Sequence, residues 1–236
     1  MARASRPVAL ISGVAAGLGA SLADAFAAAG YDIIGLARSN RAAAEIAALV
    51  AKQGGSYLHH SCDITQPIQV ATALQRDAKR IAVAVHNAQA LLIKPFGEIS
   101  PDEFEEVWRV GCFGAMVVAQ AVLPAMAARG HGVLIFTGAT AAIRGGAKFT
   151  AFASAKFALR GLAQALAREY GASGIHVAHV VLDGLVEGPQ TDRRFGPAPS
   201  ARFKPDEVAQ TYLQLASQPP SAWTQEIDLR PSAERY

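Results

Sequence analysis

Short, nearly continuous apolar runs recur along the chain, and each is followed by a segment whose apolar positions return every three or four residues. Residues 8–11, 31–37, 56–60, 81–85, 132–137 and 175–181 have the length and composition of strands buried on both faces. Between them, residues 20–29, 41–52, 66–79, 101–129 and 151–170 read as helices, with Gly54-Gly55 stopping the second and Pro101-Asp102-Glu103 opening the fourth. Pro124 marks a bend or late turn in that fourth helix. A Pro-, Gly- and Arg-rich stretch, 184–205, reads as a mobile loop before a last helix, 205–217, and a short strand, 227–229. Strict alternation of strand and helix predicts α/β architecture: one doubly wound parallel sheet, in a single domain over residues 1–236.

The pattern is most informative where the first strand ends. Ser12, Gly13, Gly17, Leu18 and Gly19 separate it from an alanine-rich helix. Strand, glycine turn and helix start, in that order, make a phosphate cradle: glycines let the backbone turn sharply and let an anion approach, and helix N–H groups face it. An ordinary glycine-rich turn between a strand and a helix has the same residues, so the surroundings decide.

Composition narrows the class. A chain of 236 residues with 51% hydrophobic and 17% charged residues builds one sizeable core. Lysine and arginine number 22 against 19 acids, with no basic block, so neither nucleic acid nor a membrane surface is implied as a partner. Cys62 and Cys112 match no metal spacing and read as buried free thiols of a reducing compartment. The start, M-A-R-A-S-R-P, leads directly into the first strand and leaves no room for a signal peptide, and no apolar run is read as long enough to span a bilayer. The expected location is cytoplasmic.

Residues just past the second strand discriminate between nicotinamide cofactors. A carboxylate there suits the ribose hydroxyls of NAD(H), whereas Arg38, in Ala37-Arg38-Ser39-Asn40-Arg41, suits a 2′-phosphate, and no carboxylate follows until Glu45. NADP(H) is therefore expected in preference to NAD(H). With these residues in place, essentially the whole chain resembles the short-chain dehydrogenase/reductase family and its Rossmann-like fold. Ser12-Gly13-x-x-x-Gly17-x-Gly19 is similar to that family's glycine turn, and Asp63-Ile64 stands where the family reads the adenine ring. His86-Asn87-Ala88-Gln89 stands for its Asn-Asn-Ala-Gly segment, and F-A-S-A-K-F-A-L-R-G-L-A resembles its catalytic helix. The resemblance implies cofactor contacts from Ser12, Gly13, Gly17, Leu18, Gly19, Arg38, Asp63, Ile64, Asn87, Lys156 and the backbone of Leu185.

The same resemblance exposes a departure. The family's proton-exchanging tyrosine, its serine and its asparagine fall on Phe152, Ala139 and Gly111, and only the lysine, Lys156, is kept. A phenol acts near neutrality when a cation four residues along the helix stabilises its phenolate, but a phenyl ring has no proton to give. Candidate replacements are Thr140, His86 at the end of the fourth strand, Arg144, or a water. His176 and His179 read as structural.

The implied function is an NADP(H)-dependent oxidoreductase of a carbonyl or alcohol substrate with a degenerate catalytic tetrad. A repurposed cyclase, lyase or isomerase and a catalytically silent nucleotide-binding subunit are the alternatives. Phe149, Phe152 and Phe157 suggest a hydrophobic small-molecule substrate under a lid at 189–199, with Arg193 and Arg194 as candidate anion contacts. By resemblance, helices 101–129 and 151–170 would form a homodimer or homotetramer, with Gly111, Gly114 and Ala115 permitting close contact.

Overall fold

The computed structural model describes residues 6–197 and 202–233; residues 1–5, on which the leader reading rests, and Pro199 in the expected lid lie outside them. The strands are β1 (Val8–Ser12), β2 (Asp32–Ala37), β3 (Tyr57–Ser61), β4 (Ile81–His86), β5 (Gly132–Thr137), β6 (Ile175–Leu182), β7 (Leu185–Val186), β8 (Arg202–Phe203) and β9 (Glu226–Leu229). Seven of them form one sheet in the order β3-β2-β1-β4-β5-β6-β9, every pairing parallel, while β7 and β8 pair separately. The order reverses between β1 and β4, and a crevice opens there beyond the carboxyl ends of the strands.

Side-chain alternation along each strand divides the core in two. Ala9, Ile11, Ile33, Val83, Val85, Ile135, Ala178 and Val180 face helices α1 (Leu18–Ala28), α2 (Ala43–Lys52) and α8 (Pro205–Ala216), which contribute Phe26, Val50 and Tyr212. Val8, Leu10, Ile34, Leu36, Ala84, Leu134, Phe136 and Val177 face α3 (Pro67–Leu74), α5 (Gly114–Arg129) and α6 (Thr150–Tyr170). Helix on each face explains why the strands read as continuous apolar runs.

The structure differs from the sequence reading in four places. The expected helix over 66–79 ends at Leu74, and a single 3₁₀ turn, Ala78–Arg80, leads into β4. The helix over 101–129 runs through Pro124, and its irregularity lies earlier: α4 (Pro101–Trp108) passes through a π-helical turn, Arg109–Phe113, into α5. Pro101–Arg129 is, contrary to expectation, long and apolar enough by length and composition to cross a membrane, and 56% of its most apolar stretch is buried, as in a core helix. Finally, residues 184–205 hold structure: β7, a short helix α7 (Pro189–Phe195) and β8.

The small residues expected to admit a partner subunit are used internally. A Cβ on Gly111 would sit 3.0 Å from Ala155 Cβ, and one on Gly114 would sit 2.8 Å from Ile64 Cδ1. Ala115 is fully buried. The apolar side chains these helices leave outside are Trp108 and Phe157.

A buried hydroxyl pair ties α8 to the end of β5: Tyr212, fully buried, donates to Thr137 Oγ1 at 2.9 Å. Burial pushes the Tyr212 phenol well above its usual range, so it stays a donor at any working pH. Tyr212→Phe is expected to cost about 1 kcal/mol, read as a fall of a few degrees in Tm; an unchanged Tm would contradict the role given to this bond.

Candidate functional site

The turn after β1 is built by backbone that only glycine tolerates. Gly13 (φ +83°) and Gly17 (φ +91°) are left-handed, and a Cβ on Gly13 would lie 2.5 Å from Ala88 Cα. Gly19 lies so close to the turn that its Cβ would meet Val14 Cα at 3.0 Å. Gly13 N–H donates to the Leu36 carbonyl at 2.8 Å, and Asn87 holds the turn from the other side, Nδ2 to the Gly13 carbonyl at 3.2 Å. Among the described residues no side chain caps the start of α1; Ala20 N–H is taken by the Ala15 carbonyl at 2.9 Å, and Leu18 and Gly19 bring the positive dipole end of the helix to the crevice.

From this turn a cleft of about 980 Å³ runs along the carboxyl ends of the strands. Its wall includes Gly13, Gly17, Leu18, Gly19, Arg38, Asp63, Ile64, Asn87 and Leu185, the sequence-expected cofactor residues apart from Ser12 and Lys156. Arg38 and Arg41 are exposed there, and no hydrogen bond or ion pair is made by either guanidinium among the described residues. Glu45, in the first turn of α2, also reaches this wall. Asp63 is fixed by Thr65, whose N–H and hydroxyl donate to Oδ1 at 2.9 and 2.8 Å.

Ser12 is not part of the wall. It is fully buried, with its hydroxyl 3.0 Å from His86 Nδ1 and 3.5 Å from the Val85 carbonyl. His86 is equally buried and does not reach the cleft. Burial first, and then the Lys156 charge, push its imidazole down to about 3 against an opposing contact from the Gly111 backbone. It stays neutral at physiological pH and cannot supply a proton to the cleft. Gly111, inside the π turn, carries no side chain and lines none of the cleft.

Lys156 and Phe152 share one face of α6, but only Phe152 lines the cleft. Lys156 is buried behind it, its Nζ donating to the Thr137 carbonyl at 2.7 Å and lying 5.6 Å from the Phe152 ring centroid. Burial lowers its ammonium to about 8. The aromatic ring thus stands between the lysine and the cleft. Ala139 lines the cleft with a methyl group alone.

Thr140 reaches the cleft too, but its hydroxyl donates to the carboxylate of Asp183, which is itself buried. Arg144 (3.4 Å) and Arg230 (2.9 Å) converge on the same carboxylate. Sequence reasoning did not bring these groups together, because Arg230 lies too far along the chain to be paired with Asp183 by inspection.

The segment expected as a lid closes the same opening. The Glu187 carbonyl would be 3.3 Å from a Cβ on Gly17, which brings the segment onto the glycine turn. Arg202 braces α7 from β8, at 2.5 Å to both Asp192 and the Gly196 carbonyl. Arg193 lines the cleft and Arg194 does not. His176, stacked on Trp223, and His179, bonded to Glu226, lie away from the cleft, and Cys62 and Cys112 are buried free thiols.

Comparison with known proteins meets this geometry. The sequence profile described as short chain dehydrogenase matches residues 7–194. The D-threitol dehydrogenase of Mycolicibacterium smegmatis is 29% identical over 222 residues, covering 89% of this chain and 85% of that protein. A short-chain dehydrogenase from Rhodopseudomonas palustris superposes with a TM-score of 0.83 at 34% identity, over 95% and 98% of the two chains. An alcohol dehydrogenase of Thermococcus sibiricus, solved in complex with 5-hydroxy-NADP, gives a TM-score of 0.86 at 26% identity, over 98% of both.

The buried state of His86 has a consequence for stability. Its folded value, about 3, lies below the ordinary 6.5. Between these values the unfolded chain binds the extra proton, so stability is full above pH 6.5 and is lost as pH falls toward 3. The urea midpoint of the wild type should fall more steeply over this window than that of His86→Gln; equal slopes would contradict the assignment.

Proposed function

The chain belongs to the short-chain dehydrogenase family, and on that premise we propose that it is an NADP(H)-dependent oxidoreductase of a carbonyl or alcohol substrate with a non-standard proton donor. The observation that carries the reading is the continuity of one cleft from the Gly13–Gly19 turn, past the uncommitted guanidinium of Arg38, to the face of Phe152. The cradle fits a dinucleotide because the space a Cβ would fill at Gly13 is already occupied, so the backbone itself forms the wall. Its pyrophosphate would rest on the turn and the start of α1, with Asp63 and Ile64 beside the adenine and Arg38 and Arg41 on the 2′-phosphate. The NADP-type ligand of the Thermococcus sibiricus neighbour supports the same preference.

When bound, the dinucleotide supplies hydride exchange; the chain supplies position. Asn87 keeps the turn in shape from β4, and the Leu185–Val186 strand closes the nicotinamide end. Phe149, Phe152 and Leu91 give the cleft an apolar wall for the body of the substrate. Phe152 holds no exchangeable proton, His86 is fully buried at the end of β4, and the Thr140 hydroxyl is committed to Asp183. The proton at the substrate oxygen is therefore exchanged with a water in the cleft. The reading treats residues 1–236 as one unit, in a cytoplasmic setting supported by the two free thiols. Trp108 and Phe157, left exposed on the helices, support a homodimer or homotetramer. A monomer at micromolar concentration in light scattering would count against that state.

Two measurements test the function. In equilibrium titrations the wild type should bind NADPH more tightly than NADH, and Arg38→Asp should weaken NADPH while NADH is held or improved; equal loss of both would count against Arg38. Phe152→Tyr places a phenol beside Lys156, so consumption of NADPH with a panel of carbonyl compounds should rise by about tenfold or more, within the range of general acid catalysis. Tight NADPH binding with no turnover in either protein would favour the silent nucleotide-binding subunit instead. Binding of neither nucleotide would favour non-redox chemistry.

A further inference from the structure

At the end of the cleft away from Arg38, one charged arrangement has no part in hydride or proton transfer. Asp183 follows β6 with its side chain only 4% exposed. Oδ2 is held by Arg230 at 2.9 Å, the Thr140 hydroxyl donates to Oδ1, and Arg230 is itself steadied by Asp228 at 3.2 Å. The carboxylate is thus well satisfied before Arg144 reaches it. Arg144 touches it through one nitrogen, Nη2, at 3.4 and 3.5 Å, and 57% of its side chain stays exposed.

Such a contact aims a guanidinium without consuming it. Nε and Nη1 of Arg144 make no hydrogen bond among the described residues. The residue lines the cleft between Thr140 and Gly145-Gly146, and a Cβ on Gly145 would meet nothing within 4 Å, so the approach is open. Phe149, Phe152 and Leu91 line the same cleft. The acids of the cleft wall lie elsewhere: Asp63 just past β3 and Glu45 on α2, beyond β2, with Glu187 over Gly17. Arginine with a clear planar edge, set beside apolar wall and with Asp183, already satisfied by other groups, as its one acidic contact, is suited to a carboxylate taken in two parallel hydrogen bonds.

We propose that the substrate is an apolar-bodied carbonyl or alcohol compound bearing a carboxylate, that Arg144 binds the carboxylate, and that Asp183 is the positioning residue for Arg144. This names the substrate class of the oxidoreductase reading and rests on it for the reacting group, though not for the anion site itself. Rigid placement by a buried partner is what gives a charged contact its selectivity, because the guanidinium need not be ordered anew when ligand arrives.

The test is calorimetric titration of the full chain, with and without saturating NADPH, using two matched pairs: benzoylformate and its methyl ester, and 4-phenyl-2-oxobutyrate and its methyl ester. The acid of at least one pair should bind about tenfold or more tightly than its ester. Arg144→Gln should bring acid and ester to within about twofold of each other, and Arg144→Lys should restore part of the difference. Arg144 is exposed, so these variants are expected to fold; Asp183→Asn, with Thr140 and Arg230 still in place, should reduce the acid preference while leaving ester binding unchanged. Acid preference without NADPH binding would uphold the anion site and remove the redox reading. NADPH binding with equal affinity for acid and ester, no binding of either member, or acid preference that survives Arg144→Gln would overturn the inference and leave the redox reading standing.

Discussion

The structure depends on a close approach of backbone to backbone where β1 ends. Gly13 sits against the chain leaving β4, with room for hydrogen and nothing larger, and its φ lies in the left-handed region. From that one constraint the rest follows in order. β1 can lie between β2 and β4, Gly13 N–H can reach the Leu36 carbonyl, and Asn87 can close on the Gly13 carbonyl. The chain then turns into α1 with its N-terminus at the crevice where the sheet order reverses. A side chain at position 13 would have to push β4 aside, and both halves of the sheet register against it.

Beyond this cradle, Phe152 offers a ring face to the cleft, and the Lys156 ammonium donates to the Thr137 carbonyl. Burial lowers the Lys156 value, and the carbonyl oxygen it donates to offers no countercharge to raise it again. Polar contacts here converge on Asp183, which gathers Thr140 and Arg144 from the segment after β5 and Arg230 from the end of β9.

Much of the fold was legible because strands buried on both faces leave unbroken apolar runs, and Gly13, Gly17 and Gly19 mark a turn by residue type alone. The wall residues Arg38, Asp63, Ile64 and Asn87 were legible for a related reason: each follows directly on a strand end, so its place at the crevice is fixed by local sequence. The π turn at 109–113 was hidden, since an apolar pattern does not register one added residue in a helical turn. That Ser12 and Lys156 do not line the cleft could not be read, because sequence fixes their element and not the direction of burial. The Asp183 cluster was out of reach, as its polar groups come from positions 140, 144, 183 and 230, and only the folded chain brings them together.

A dinucleotide cradle formed by the Gly13–Gly19 turn and Arg38 is tested by hydrogen–deuterium exchange of the full chain with and without NADPH, since exchange reads the backbone of the turn itself. Slowed exchange over residues 13–20 and 38–42, with the distant β3 edge unchanged, is the predicted result. Exchange in the turn unaffected by saturating NADPH would contradict the account.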